Sequence, residues 1–248
     1  MSRQNCYTQS TEKKGRRWLQ NEEKNGTINP YTINGKAATA VTKKQRAGEA
    51  VKRLKLRYPE AVCSLCYADP WQLLVATRLS AQCTDARVNL VTPALFERFP
   101  TPEAMAAAEP ADVEPYIHSC GFFRGKAKDL VLMSRALLAD YGGVVPDTVE
   151  KLVKLSGVGR KTANLIVGDV YKKPAVVADT HCIRISGRLG LCDSDNPVVV
   201  ERQLKAILDP AESNDFCHRL VMFGRDVCTA RSPQCDGCEL SDICKTKG

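Results

Sequence analysis

From Glu49 onward, apolar residues recur three and four positions apart, the spacing of one face of an α-helix. The stretch AGEAVKRLKLRYPEA predicts an amphipathic helix closed by Pro59. DPWQLLVATRLSAQCTDARVNLVTPALFERFP predicts two more helices. TPEAMAAAEPADVEPYIHSCGFFRGKAKDLVLMSRALLADYGG predicts three, punctuated by Pro and Gly. Helices follow at DTVEKLVKL, GRKTANLIVGDVY, THCIRISGRL, PVVVERQLKAIL and ESNDFCHRLVMFGRDVC. KPAVVAD is the only strand-like run, and it is too short to make a sheet. The pattern contains no internal repeat, and the predicted fold class is all-α.

Residues 1–48 break this pattern. They carry ten Lys/Arg against three acidic residues and few large apolar side chains, so residues 1–41 are expected to form a basic flexible arm. The whole chain has 248 residues, 44% of them hydrophobic, with a formal net charge of +8. That is enough apolar material for one large domain or two modest ones. The basic balance makes a polyanion, most often nucleic acid, a candidate partner. No apolar run approaches the ~18 residues of a membrane span. The first twenty residues lack a secretory signal's apolar core, and Glu12, Glu22 and Glu23 interrupt what a transit peptide would keep basic. The expectation is a cytoplasmic protein with no membrane partner. In that compartment the twelve cysteines are not expected to form disulfides.

Two stretches carry candidate chemistry. In TVEKLVKLSGVGRKTANLIVGDV, one helix is expected to end near Leu155 and another to start near Arg160. The turn at Gly157, Val158 and Gly159 would then present backbone N–H groups at a helix N-terminus, where unpaired donors and the helix dipole favour an anion. Arg160 and Lys161 add positive charge there, so a phosphodiester is the natural ligand; an ordinary glycine-capped hairpin is the plain alternative. The second stretch is CTARSPQCDGCELSDIC, which places six, two and five residues between Cys228, Cys235, Cys238 and Cys244. Four thiolates at these spacings could bind Zn²⁺ or a [4Fe–4S] cluster. Cys6, Cys120, Cys182, Cys192 and Cys217 are expected to be small buried hydrophobes or idle thiols. The CSLC pair, Cys63 and Cys66, lacks the second pair or βαβ setting that a metal or redox site needs.

Three motifs in order, LSGVGRKTAN, VVADTH eighteen residues beyond Lys161, and the terminal C-x6-C-x2-C-x5-C, resemble endonuclease III, the bifunctional branch of the helix-hairpin-helix DNA glycosylases. The resemblance covers about residues 42–248 and includes LSAQCTD at Leu79–Asp85. It implies two helical lobes with a DNA cleft between them: a helix-hairpin-helix lobe, residues 63–173, and an iron–sulfur lobe, residues 42–62 with 174–248. It implies that the four cysteines hold a [4Fe–4S] cluster. Lys161 matches the family's nucleophile, which attacks C1′ of the damaged nucleotide's sugar and forms a Schiff base, and Asp179 matches its catalytic aspartate. Asp179 could equally cap the helix THCIRISGRL, or serve as both. His181 is left as a structural or DNA-contacting residue.

Gln82 matches the residue inserted into the duplex and Phe122 the apolar wedge; a helix-surface Gln and a core Phe are the plain readings. Arg231 is the basic residue of the cluster loop, where Ser232 and Gln234 stand in place of further cations, and Ser156 replaces a proline often found before the hairpin's first glycine. The implied enzyme is a monomeric, nucleoid-associated glycosylase and AP lyase acting on oxidised pyrimidines or abasic sites in double-stranded DNA. Adenine glycosylase on mispaired bases and a zinc-clasped, non-catalytic DNA-binding module are the alternatives.

Overall fold

A computed structural model describes residues 41–246; the basic arm, save its last residue, therefore lies outside the described residues, as does Cys6. Eleven α-helices and two short 3₁₀ turns make up the described residues, and none of these residues forms a strand. The helices are α1 (Lys43–Arg57), α2 (Pro70–Leu79), α3 (Asp85–Arg98), α4 (Pro102–Ala106), α5 (Pro110–Ile117) and α6 (Phe123–Tyr141). They continue with α7 (Val149–Leu152), α8 (Arg160–Asp169), α9 (Thr180–Arg188), α10 (Pro197–Ile207) and α11 (Ser213–Asp226). None is long and apolar enough to cross a membrane.

Most starts are written in short polar residues. Asp69, Thr84, Thr101, Asp179 and Asn196 each accept a backbone N–H from the first turn of the helix they precede. Proline follows directly in α2, α4 and α10, where its missing N–H costs nothing. The first helix begins earlier than its apolar pattern suggested. Thr42 and Gln45 form a capping box, so α1 starts at Lys43 rather than near Glu49. The first helix of the hairpin is shorter than expected: α7 stops at Leu152, and residues 153–155 continue as turns.

Two helices form the spine. In α2, Leu73, Leu74, Val75 and Ala76 are all completely buried, and in α8 every residue from Ala163 to Asp169 is buried. Both are buried on most of their faces, and they pack against each other. Helices α3 and α6 pack against α2, and α4 and α5 lie on α6, whereas α1 lies on α10 and α11, and α9 on α11. Truncating a spine residue such as Leu73 to Ala would cost about 2–5 kcal/mol. The hairpin's second helix is thus one of the most deeply anchored elements, and its N-terminus is held rigidly at the surface.

Candidate DNA-binding and catalytic site

The hairpin turn is tied down from below. Ser156 Oγ–H donates to Asp129 Oδ1 at 2.8 Å, and Asp129 Oδ2 accepts from Arg78 Nε and Nη2 at 2.8 and 2.5 Å. Ser156 therefore supplies by hydrogen bonding some of the rigidity that a proline would supply covalently. Gly157 has φ +71°, and a methyl group there would fall 2.7 Å from Arg78 Cδ and 2.9 Å from Asp129 Cγ. Both the backbone conformation and the close approach require glycine. Gly159 is different: it is the N-cap of α8 at φ −88°, with open space where a side chain would be and no side-chain cap. The first N–H groups of α8 thus face outward without a capping side chain, as an anion site needs.

Two residues expected at this site also have partners within the protein. Val158 is buried, and its N–H donates to the Leu155 carbonyl at 3.2 Å, so it has no donor to offer a phosphate. Arg160 turns its guanidinium onto Glu201 of α10, with Nε–Oε2 and Nη2–Oε1 distances of 2.6 and 3.0 Å. Glu201 is 3% exposed and also accepts from Lys205 at 2.7 Å. Burial alone would push the Glu201 carboxyl up, but its bonds to Arg160 and Lys205 hold it below the usual glutamate range.

Lys161 and Asp179 stand at the N-termini of the consecutive helices α8 and α9. Lys161 is exposed, and the guanidinium of the neighbouring Arg160 is held by Glu201. Asp179 is mostly buried. Burial opposes its charge, yet His181, the Cys182 N–H and the Lys161 ammonium together hold its carboxyl below the usual aspartate value. Its Oδ1 accepts from Cys182 N at 2.7 Å and its Oδ2 lies 3.6 Å from His181 Nδ1. Asp179 is at once the cap of α9 and a carboxylate within the electrostatic reach of Lys161.

Gln82 and Phe122 occupy loop tips rather than a helix surface or the core. Gln82 lies between α2 and α3, exposed, at φ +53°; Phe122 immediately precedes α6, 74% exposed, at φ +48°. Left-handed backbone at bulky residues is uncommon and is held in place by surrounding structure.

The four terminal cysteines follow α11 in a loop that closes onto α9. Arg188 Nη1 donates to Cys228 Sγ at 3.3 Å and to the Thr229 carbonyl at 2.8 Å, and Nη2 to the Ala230 carbonyl at 2.9 Å. The Leu240 N–H points at Cys238 Sγ at 3.4 Å. Cys238 is close enough to Cys228 and Cys244 to feel their charge. Among the described residues, no three His, Cys, Asp or Glu side chains are arranged for a single metal ion. Four thiols, with N–H donors aimed at two of their sulfurs, suit an iron–sulfur cluster, whose thiolates are stabilised by such bonds. Arg231 is exposed in this loop.

The remaining cysteines are quieter. Cys120, Cys182, Cys192 and Cys217 are buried. Burial pushes the Cys63 thiol up to about 12, which keeps it protonated and removes it from thiolate chemistry.

Residues 75–210 match the HhH-GPD superfamily of base excision DNA repair proteins, and residues 228–244 match the iron–sulfur binding domain of endonuclease III. The chain is 46% identical to the endonuclease III of Synechocystis over 82% of its own length and 93% of the relative's. It is 36% identical to that of Escherichia coli, over 80% and 94%. A solved structure of a trapped endonuclease III–DNA covalent intermediate, the estranged-adenine complex, superposes with a TM-score of 0.78 at 40% identity, over 82% of this chain and 96% of that one. A thermostable thymine-DNA glycosylase, at 20% identity and a TM-score of 0.74, shares the fold. With its helical hairpin, its cysteine loop and this likeness over most of its length, the chain belongs to the endonuclease III family of iron–sulfur DNA glycosylases and AP lyases.

Proposed function

We propose that Lys161 is the nucleophile of a glycosylase and AP lyase acting on oxidised pyrimidines in duplex DNA, with Asp179 as its carboxylate partner. The observation that carries this is their pairing: an exposed lysine and an ionised, helix-capping aspartate at the N-termini of two consecutive helices, coupled by charge. Lys161 loses its water only when DNA closes over it, so desolvation is supplied by the substrate complex. Asp179 takes a proton from the amine or steadies the developing charge on the sugar. The Lys161 nitrogen then forms a bond to C1′ while the C1′–N bond breaks, and its electron pair leaves with the base, which gains a proton. The lysine nitrogen, having given up a proton, then uses its lone pair to expel O4′: the C1′–O4′ bond breaks, O4′ takes up a proton, and a protonated imine links Lys161 to C1′. Loss of a proton from C2′ forms a C2′–C3′ double bond as the C3′–O bond breaks, cutting the strand on the 3′ side.

Around this centre, the outer N–H groups at Gly157 and Gly159 would hold a phosphate, while Gln82 and Phe122 enter the stack where the nucleotide has left. Arg231 and the basic arm would add phosphate contacts. The four cysteines hold the cluster, which supplies structural support to the loop. In this reading the enzyme is a monomer working in the cleft between lobe 63–173 and lobe 42–62 with 174–248, associated with the nucleoid. Borohydride added during reaction with a thymine-glycol duplex tests it. One protein–DNA adduct should form and map to Lys161; an adduct on another residue, or none during active excision, overturns the assignment.

A further inference from the structure

Among the described residues, Lys126 is the one lysine buried to 1% exposure, and no carboxylate there pairs with it. It lies on the core face of α6, in the row Lys126, Leu130, Met133, Leu137, where an apolar side chain would pack without cost. Burial pulls its ammonium below the usual lysine range. What the ammonium holds explains its presence. Nζ donates to the Leu79 carbonyl at 2.8 Å and to the Cys120 carbonyl at 2.7 Å. Leu79 ends α2, three residues before Gln82, and Cys120 ends the 3₁₀ turn, two residues before Phe122. One charged group thus ties together the roots of the two loops whose tips sit in left-handed backbone with exposed side chains. A free loop would relax such a tip; two carbonyls fixed on one nitrogen leave it less room to do so.

We propose that Lys126 is a positioning residue that sets the spacing of Gln82 and Phe122, so that both enter the duplex together at a damaged nucleotide. This rests on the reading of those two side chains as the inserted ones. Lys126 touches no DNA; it acts through the tips.

A double-mutant cycle on the full-length, cluster-loaded enzyme tests it. Single-turnover excision of thymine glycol is measured for Lys126→Met and Lys126→Gln, each alone and combined with Gln82→Ala/Phe122→Ala, with the thermal midpoint and cluster absorbance followed alongside. Lys126→Met alone should slow excision about tenfold, and less than about twofold once both tips are removed, because the clamp then has nothing to place. Lys126→Gln, which keeps a donor for one carbonyl, should fall between. Equal losses in both backgrounds would show a general core role and overturn the proposal. So would failure of both Lys126 variants to fold, since a clamp on loop tips leaves the core standing. If Gln82→Ala/Phe122→Ala excises at the wild-type rate, the reading of the tips itself falls. That result differs from additivity in a double variant already slow, which removes the clamp alone.

Discussion

Gly157 rests directly on the Arg78–Asp129 ion pair, with no room between them for a single methyl group. Gly157→Ala should therefore force a strained left-handed alanine and displace the pair, destabilising the protein by roughly 2–4 kcal/mol. Gly159→Ala, with open space and an ordinary backbone angle, should change stability by less than about 0.5 kcal/mol. It should still weaken duplex binding, because the methyl would stand where the proposed phosphate meets the start of α8. Thermal unfolding and a binding titration on both variants separate the two effects; equal stability losses would show that the turn is not organised this way.

Lys161→Gln should lose base excision and borohydride trapping while keeping lesion binding, since the glycine turn is untouched. Trapping assays and a gel-shift titration on one preparation give both numbers. Base release by Lys161→Gln would make water the nucleophile and return the lysine to a phosphate contact.

Asp179→Asn should fold normally, because asparagine caps a helix as well as aspartate. Its turnover should fall far below wild type at every pH from about 5.5 to 8. A carboxyl held below the usual aspartate value of about 3.9 is fully ionised throughout that window, so the ratio of wild-type to variant rates should stay flat. A ratio that shrinks as the pH drops toward 5.5 would mean that Asp179 is being protonated there, against its environment of His181, Cys182 N–H and Lys161.

Cys238→Ser should yield a pale protein with little absorbance near ~410 nm and poor folding. The Leu240 N–H aimed at Cys238 Sγ would then bond a hydroxyl that is a poorer ligand for iron. A brown, normally stable Cys238→Ser protein would exclude this residue from the ligand set.

The helices, the hairpin and the cysteine loop were legible because each is written in local spacing: apolar periods, two glycines around one valine, four thiols within seventeen residues. Local spacing also misled. Thr42 and Gln45 start α1 ahead of its apolar stripe, and nothing in GVGRK shows that Val158 is core or that Arg160 is paired with Glu201. What the sequence hid were partners far apart in the chain: Ser156 with Asp129, Arg160 with Glu201, Arg188 with the cysteine loop. No periodicity announces such pairs. Lys126 did leave a trace, a charge in an otherwise apolar row of α6, which only its two carbonyl partners explain.

Helix α9 carries Asp179 at its first end and Arg188 at its last, nine residues or about 13 Å apart. Arg188 is bound to the cysteine loop through its guanidinium, and its carbonyl accepts the N–H groups of Lys245 and Thr246. The helix is therefore a short rod pinned at one tip by the cysteine loop and carrying at the other the carboxylate proposed to react. A loosened pin would swing the far tip, so disturbing the cysteine loop should blunt the proposed excision even with Lys161 and Asp179 in place.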